Sequence, residues 1–334
     1  MSMRSSSMSV ILYLTEVKFM KENGISNKEI QSVMIGTWAW GAGMNGSKVV
    51  FGKSYDESVL KDTFEKATGL GFLKWDTAAV YGMGSCEKLL GGFINGRDDI
   101  FLSTKYFPKK KYKEGALVES FNESMERLQL KSPNLFWLHN PNNLEKNLSE
   151  AIPLMRDGRI KSIGISNVSM DNIKTAERYL EKNGLKLGAV QNHFSLLRND
   201  QQPIIDYCNS KGIQYYAYMV LEQGALAGRY NAKNHFPTFS MRNFAFPKSK
   251  FKKIEDLLNM MKTIADKYGI DASQIPILWV IAKGAIPIIG ITKPVYAEKL
   301  SDALKVTLSD EEVKNLTDEA MKTGIRQQGS WEPQ

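Results

Sequence analysis

The sequence is poor in the residues that usually bind metals or form covalent cross-links. Its 334 residues include two cysteines, Cys86 and Cys208, and three histidines. Two cysteines cannot build a disulfide framework or a four-cysteine zinc site. We therefore expect a chain that folds in a reducing compartment, with the cytoplasm as its location and no metal in its site.

Long hydrophobic runs are also missing. No segment reaches the roughly 20 apolar residues that a membrane-spanning helix needs, and the run VILYL near the start is too short for a signal peptide. We expect residues 1–8 to form a flexible tail and the protein to have no membrane partner. The 44 Lys and Arg residues outnumber the 36 Asp and Glu residues, for a net charge of +8. This excess is spread along the chain and predicts no nucleic-acid partner.

What the sequence does contain is a repeated alternation of strand and helix patterns. Segments with helical spacing separate the apolar runs; in one of them Leu117, Phe121, Met125 and Leu128 share one face. Eight short apolar runs have the composition of buried strands: 32–38, 71–76, 99–105, 134–139, 160–167, 187–192, 213–218 and 285–290.

Eight strand–helix units in a chain of this length favour an α/β fold of the (β/α)₈ TIM-barrel type, with eight parallel strands. We predict one barrel domain over residues 9–334, with a short N-terminal extension or hairpin, extra C-terminal helices and a long loop at about 222–250. The competing Rossmann fold needs a G-x-G-x-x-G turn. The nearest match, GMGSCE at 82–87, has glutamate at the third glycine position.

In a barrel the carboxyl ends of the strands converge on one face. Asp76, Lys105 and His139 end three successive predicted strands, and Tyr81 follows Asp76 by five residues. A tyrosine can protonate a developing alkoxide, and a neighbouring ammonium would lower its pKa. Asp76 would balance the charge of Lys105, and His139 would donate a hydrogen bond to a carbonyl oxygen.

These motifs resemble those of the aldo-keto reductases. The resemblance rests on DTAAVYG (76–82), STK (103–105) and LHNP (138–141), and it continues through GISN (164–167), QNHFSLL (191–197) and AYMVLEQGALAGRY (217–230) to IPIIGITKPVYAEKL (286–300). It implies a catalytic set formed by Asp76, Tyr81, Lys105 and His139. It also implies a carbonyl reductase with NADPH, or alternatively NADH, bound across the C-terminal face of the barrel.

The resemblance further implies how the cofactor and substrate are held. Ser166, Asn167 and Gln191 would hold the nicotinamide carboxamide, and Tyr218 would stack on its ring. The implied cofactor site also includes Leu221, Gly290 and Lys293, and the implied substrate pocket contains Trp38, Trp40, Tyr106, Phe107 and Asn140.

The chain departs from the family pattern at two places. Met219-Val220-Leu221 replaces a common Ser-Pro-Leu sequence, which removes a hydroxyl that can contact the pyrophosphate. Tyr296, Lys299 and Leu300 stand where the family places an arginine and a Glu-Asn pair around the adenosine.

Two other functions stay open from the sequence. One is a nucleotide-binding, redox-sensing subunit with the same fold, and the other is an NAD-dependent sugar or polyol dehydrogenase. We expect a small-molecule carbonyl substrate and a monomer or weak homo-oligomer.

Overall fold

The computed structural model describes residues 32–43, 47–237, 240–329 and 332. The predicted tail at 1–8 and the rest of the predicted N-terminal extension lie outside these residues. Eight strands are present: β1 Met34–Gly36, β2 Lys74–Asp76, β3 Phe101–Tyr106, β4 Leu135–Leu138, β5 Ile163–Ser166, β6 Ala189–His193, β7 Gln214–Tyr218 and β8 Ile286–Gly290.

The strands form a closed barrel in which each strand pairs in parallel with its sequence neighbour, and β1 closes the ring against β8. At the closure, Ile35 lies opposite Ile289 and Gly36 opposite Gly290. Six of the eight observed strands lie within the predicted runs, and β3 and β6 each extend one residue beyond theirs, to Tyr106 and His193. The prediction of a parallel (β/α)₈ barrel is confirmed.

Helices surround the barrel. The predicted apolar face at Leu117, Phe121, Met125 and Leu128 is buried against the barrel. No helix among the described residues combines the length and the apolarity needed to cross a bilayer. The α-helices are α1 Ser47–Phe51, α2 Glu57–Gly69, α3 Ser85–Ile94, α4 Ala116–Leu128, α5 Leu144–Arg156, α6 Met170–Glu181, α7 Gln202–Lys211, α8 Met241–Ala245, α9 Lys248–Lys253, α10 Glu255–Tyr268, α11 Ile275–Ala282, α12 Pro294–Ala303 and α13 Asp310–Lys322.

A large side chain fills the inside of the barrel. Trp137 on β4 is fully buried and meets Tyr216 edge to face, with ring centroids 5.5 Å apart. Gly164 on β5 is the register partner of Trp137, and a Cβ atom at position 164 would lie 2.3 Å from the indole ring. The absence of a side chain at 164 therefore makes room for the tryptophan.

We expect Gly164→Ala to destabilise the fold by about 1–3 kcal/mol, because the added methyl group overpacks this layer of the barrel. Urea unfolding would measure the change. Gly92→Ala is the matched control: Gly92 is exposed in α3, and a Cβ atom there meets nothing within 4 Å. It should stabilise the protein by up to about 1 kcal/mol. Equal stability of the two variants would contradict the packing role of Gly164.

The segment predicted as a long loop, 222–250, contains defined structure. It begins with a 3₁₀ turn at Glu222–Gly224 and includes α8 and the start of α9. Its aromatic side chains form a small core, in which Phe236 lies 4.5 Å from Tyr230 and 5.4 Å from Phe251 between ring centroids. The segment thus has its own packing and forms one wall at the mouth of the barrel.

Candidate active site

A buried ion pair lies where β2 and β3 end. The Lys105 side chain is completely buried, and Asp76 is 2% exposed. Lys105 Nζ donates to Asp76 Oδ2, to the Thr77 carbonyl oxygen at 2.8 Å and to Tyr81 Oη at 3.4 Å. Ser103 Oγ donates to the other Asp76 oxygen at 2.6 Å. The ammonium group is therefore fixed between a carboxylate below and a phenol above.

The chain after β2 places Tyr81 by means of glycine. Tyr81 opens a 3₁₀ turn, and Gly82 then adopts a φ of 55°. A Cβ atom on Gly82 would lie 2.6 Å from the carbonyl oxygen of Ala42, so glycine is required for this close approach. Helix α3 begins at Ser85, directly after the turn. The turn holds Tyr81 above Lys105 with its ring stacked on Trp38, at 5.9 Å between centroids.

Burial decides the protonation of Tyr81. Desolvation raises the pKa of its phenol well above the usual value, and the Asp76 carboxylate raises it further. The net shift of the Tyr81 pKa in the free protein is therefore upward, opposite to the net lowering predicted from the sequence. Burial also lowers the pKa of Lys105, against the attraction of Asp76. The site thus holds a protonated phenol at neutral pH.

His139 follows β4 and faces the same part of the site as Tyr81 and Lys105. Burial lowers the pKa of its imidazole well below the usual value, and the charge of Lys105 lowers it further. Its ring lies 5.9 Å from the Tyr81 ring and 5.5 Å from the Phe107 ring, between centroids. Nδ1 is buried and has no hydrogen-bond partner among the described residues. A neutral imidazole beside a phenol can position a carbonyl oxygen between two donors.

These groups form part of the wall of a cavity of about 520 Å³ at the C-terminal end of the barrel. Lys105 lies beneath it and Ser166 is buried at its side. Ten residues that the sequence assigns to the site line the cavity: Trp38, Asp76, Tyr81, Phe107, His139, Asn167, Gln191, Tyr218, Leu221 and Gly290.

The side of the cavity formed by β5, β6 and β7 has the groups that a nicotinamide would need. The side chain of Asn167 donates to the carbonyl oxygen of His139 at 2.8 Å, and its Oδ1 accepts from Tyr218 Oη at 2.5 Å. Gln191 Nε2 is buried without a hydrogen-bond partner among the described residues. An unpaired donor is costly unless a ligand accepts from it. The carboxamide oxygen of a nicotinamide fits this donor, and Gly290 leaves the adjacent β8 rim open.

Besides Lys105 and Ser166, four predicted site residues do not line the cavity. The prediction that Trp40 lies in the substrate pocket is corrected by the structure. Its side chain packs against Trp75 in the outer core, and its Nε1 donates to the carbonyl oxygen of Ile291 at 2.7 Å. Tyr106 is half-buried at the end of β3. It directly follows Lys105 in this strand, so the two side chains point to opposite faces of the sheet.

Asn140 and Lys293 have other positions. Asn140 Nδ2 donates to the carbonyl oxygen of Pro108 at 2.9 Å, which ties two loops together. Lys293 is exposed directly before α12. Lys299, the second cation of that region, pairs with Asp271 at 2.5 Å. Of these two lysines, Lys293 is therefore the one without an acidic partner among the described residues.

Sequence reasoning missed a buried charged cluster behind Tyr218. His193 Nε2 lies 2.8 Å from Glu222 Oε1, and its Nδ1 lies 2.6 Å from Glu332 Oε1. The imidazole stacks on Tyr218 with ring centroids 5.5 Å apart. Burial lowers the pKa of His193, but the two carboxylates outweigh it and raise the pKa to about 9. The signal in the sequence is the pair of ionisable residues itself, His193 in QNHFSLL and Glu222 in AYMVLEQGALAGRY.

This cluster predicts a pH dependence of stability. The folded-state pKa of His193, about 9, exceeds the usual value of about 6.5. Its contribution, about 3 kcal/mol, is therefore complete below about pH 6.5 and disappears as the pH rises through about 9. We expect Glu332→Gln to lower the free energy of unfolding at neutral pH and the deficit to shrink above about pH 9. Glu311→Gln, an exposed change on α13, should show no such trend; a pH-independent deficit in Glu332→Gln would contradict the assignment.

Comparison with known proteins agrees with the family resemblance of the sequence motifs. The model of the aldo/keto reductase family matches residues 32–320. A chloroplastic pyridoxal reductase of Arabidopsis thaliana is 30% identical over 300 residues, which cover 83% of this chain and 80% of the relative. An uncharacterized oxidoreductase of Mycobacterium tuberculosis is 28% identical over 311 residues, covering 91% and 93% of the two chains.

Solved structures share the barrel. A glycerol dehydrogenase from Gluconobacter oxydans superposes with a TM-score of 0.74 at 22% identity, covering 90% of this chain and 94% of its own. An aldo-keto reductase from Klebsiella pneumoniae in complex with NADPH gives a TM-score of 0.67 at 22% identity, with coverages of 89% and 94%. At 22% identity, the similarity to these two structures establishes the fold of this chain and nothing more specific.

Proposed function

Because this chain belongs to the aldo/keto reductase family, we propose that it is an NADPH-dependent oxidoreductase that reduces an aldehyde or ketone to an alcohol. The observation that carries this proposal is the buried Asp76–Lys105 pair beneath the hydroxyl of Tyr81. A buried charge pair in contact with a phenol at the floor of a cavity is unusual for a purely structural site, because both charges must be desolvated.

The cofactor assignment draws on the relatives and on the cavity. A Schizosaccharomyces pombe relative named as an NADP(+) aldo-keto reductase is 27% identical over 298 residues. We propose that Gln191 and Asn167 hold the carboxamide, and that Tyr218 and Gly290 border the ring. The bound nicotinamide supplies a hydride to the carbonyl carbon.

The residues of this chain supply the proton and the orientation. Tyr81 donates its phenolic proton to the carbonyl oxygen as that oxygen gains negative charge. Lys105, 3.4 Å from the Tyr81 oxygen, stabilises the phenolate that results. Asp76 acts on Tyr81 through Lys105, which it holds in place and whose charge it balances.

His139 positions the substrate. Its imidazole is neutral at physiological pH because burial and Lys105 lower its pKa. A neutral imidazole can donate one hydrogen bond to the carbonyl oxygen without adding a positive charge that would oppose Lys105. His139 and Tyr81 together would fix the oxygen, and Trp38 and Phe107 would exclude water from the carbonyl carbon.

A second candidate function is NAD-dependent oxidation of a sugar or polyol. Lys299 is paired with Asp271, so fewer free cations remain near α12 to select the 2'-phosphate of NADPH. Under this alternative, NADH and NADPH would bind with equal affinity. Quenching of tryptophan fluorescence by each nucleotide would measure the two affinities.

The proposal is tested by following the nicotinamide absorbance while the protein is mixed with NADPH and 4-nitrobenzaldehyde. We expect the absorbance to fall in proportion to the alcohol formed. Tight binding of NADPH without turnover of this or other reactive aldehydes would support a nucleotide-sensing subunit instead. Faster formation of NADH from NAD and glycerol than of alcohol from the aldehyde would support the polyol dehydrogenase.

A further inference from the structure

The phenol of Tyr218 rests on a buried imidazole. His193 is the register partner of Tyr218 in the pairing of β6 with β7. The two rings are stacked, with an interplanar angle of 30° and 5.5 Å between centroids. Tyr218 lines the cavity, whereas His193 is 3% exposed and does not line it. Because one face of the phenol lies against His193, the opposite face is the one that can meet a ligand in the cavity.

The imidazole of His193 is held at both of its nitrogens. Nε2 lies 2.8 Å from Glu222 Oε1, and Nδ1 lies 2.6 Å from Glu332 Oε1. All three side chains are almost completely buried. With a carboxylate at each nitrogen, the ring carries two protons and donates both. Rotation of the ring would break two charge-assisted hydrogen bonds at once, so the plane of the imidazole is fixed.

Each of the two carboxylates is anchored in turn. Ser195 Oγ donates to Glu222 Oε1. The backbone N–H of Gly329 donates to Glu332 Oε1 at 2.7 Å, and Arg198 Nη2 lies 3.6 Å from Glu332 Oε2. The support of Tyr218 is therefore assembled from three parts of the chain: β6 with its following loop, the turn after β7 and the segment after α13.

The segment after α13 is docked on its neighbours before it reaches His193. The backbone N–H of Gln327 donates to the carbonyl oxygen of Leu197 at 2.8 Å, and its side chain accepts from Lys250 Nζ at 2.8 Å. Arg326 Nη2 donates to Asp200 Oδ2 at 2.5 Å. These contacts join the segment to the loop between β6 and α7 and to helix α9. Glu332 therefore approaches His193 from a fixed base.

The turn that carries Glu222 has an unfavourable backbone conformation. Met219, Glu222 and Gln223 have positive φ values of 60°, 47° and 54°. Residues other than glycine adopt this conformation at a cost in free energy, and they keep it where the surrounding structure determines it. Met219 and Gln223 line the cavity. The contact of His193 with Glu222 therefore also helps to hold this part of the cavity wall.

The hydroxyl of Tyr218 continues the network across the nicotinamide side of the cavity. It donates to Asn167 Oδ1 at 2.5 Å, and Asn167 Nδ2 donates to the carbonyl oxygen of His139 at 2.8 Å. Tyr218 and Asn167 both line the cavity. A displacement of the Tyr218 ring would therefore also displace Asn167, the proposed partner of the carboxamide.

We propose that His193 and Glu332 are positioning residues for the nicotinamide, which they align by fixing the ring of Tyr218. Neither residue lines the cavity, so both act through Tyr218. A ring that is already immobilised loses little freedom when a ligand stacks on it, and it holds the nicotinamide C4 at one distance from the carbonyl carbon. This inference rests on the proposed binding of NADPH, and it makes the segment after α13 part of the apparatus that orients the cofactor.

Two nucleotides and a graded pair of variants provide the test. Glu332→Ala removes the acceptor at His193 Nδ1, and Glu332→Gln keeps an uncharged acceptor there. We expect Kd for NADPH to rise about tenfold in Glu332→Ala, the scale of a hydrogen bond to a charged group, and less in Glu332→Gln. 2'-Phospho-ADP-ribose, which lacks the nicotinamide, should bind to all of these proteins equally. Calorimetric titration would measure the affinities, and near-UV circular dichroism would show that each variant is folded.

A double-mutant cycle shows whether Glu332 acts through Tyr218. Tyr218→Leu removes the ring on which the nicotinamide stacks, so adding Glu332→Ala to it should weaken NADPH binding no further. The single-turnover rate of reduction at saturating NADPH should fall about tenfold in Glu332→Ala, because the nicotinamide is less well aligned. Glu311→Gln, an exposed change on α13, should alter neither quantity.

The outcomes are distinct. Equal losses of affinity for NADPH and for 2'-phospho-ADP-ribose in Glu332→Ala, or additive losses in the double variant, would show that the cluster supports only the fold, and the inference would be wrong. Wild-type affinity and rate in Glu332→Ala would overturn the inference and leave the proposed function intact. Failure of the wild type to bind NADPH would overturn both.

Discussion

Replacing Tyr81 with phenylalanine is expected to lower kcat for aldehyde reduction by about 10²–10⁴-fold, the usual contribution of a positioned general acid. The change removes the hydroxyl that accepts from Lys105 and leaves the ring in its stack with Trp38. The affinity for NADPH should stay nearly the same, because the residues that border the proposed nicotinamide site are unchanged. Rapid-quench kinetics for the alcohol and fluorescence titration for the nucleotide would measure the two quantities separately.

A second phenol on the cavity wall provides the control for Tyr81→Phe. Tyr55 also lines the cavity, but it is not in contact with Lys105 in the structure. Tyr55→Phe should change kcat by less than about tenfold. Near-normal turnover in Tyr81→Phe, or equal losses in both variants, would rule out Tyr81 as the proton donor. Since burial raises the pKa of Tyr81, ionisation of this phenol should not reduce the wild-type rate up to about pH 9.

The other large effect is expected from Lys105→Met, which should lower kcat by a similar factor of about 10²–10⁴. This substitution also leaves the carboxylate of Asp76 buried with the Ser103 hydroxyl as its remaining side-chain partner. Breaking a buried pair in this way typically costs about 3–5 kcal/mol of stability. A loss of activity in the single variant could therefore reflect a loss of fold.

The double variant Asp76→Asn/Lys105→Met separates the two causes. It removes both charges, so most of the stability should return, whereas the stabilisation of the Tyr81 phenolate stays absent and turnover should remain low. Urea unfolding and single-turnover reduction would be measured on the wild type, both single variants and the double variant. A double variant with both wild-type stability and wild-type turnover would show that the pair has no catalytic role.

The barrel and the floor of its cavity could be predicted because they follow local rules. Eight apolar runs separated by helical patterns predict the strands, and strand ends in a barrel converge regardless of their separation in sequence. Asp76, Lys105 and His139 are therefore neighbours in the fold. Tyr81 joins them through a turn whose glycine is visible in the sequence.

The walls of the cavity could not be predicted because they depend on loop conformation and on long-range contacts. Trp38 and Trp40 look equivalent in an extended chain, but they lie in a 3₁₀ turn that directs Trp38 to the cavity and Trp40 to the outer core. His193 and Glu332 are 139 positions apart. The direction of the Tyr81 pKa shift also escaped the sequence, because it depends on the depth of burial as well as on the neighbouring charges.

The most direct test of carbonyl reduction at this site is the transfer of deuterium. Wild-type protein would reduce 4-nitrobenzaldehyde with NADPH that carries deuterium at both C4 positions, and mass spectrometry of the alcohol would locate the label. We predict one deuterium on the former carbonyl carbon of each alcohol molecule, and almost no product from Tyr81→Phe over the same time. Alcohol without deuterium, or equal product from the variant, would contradict the assigned reaction.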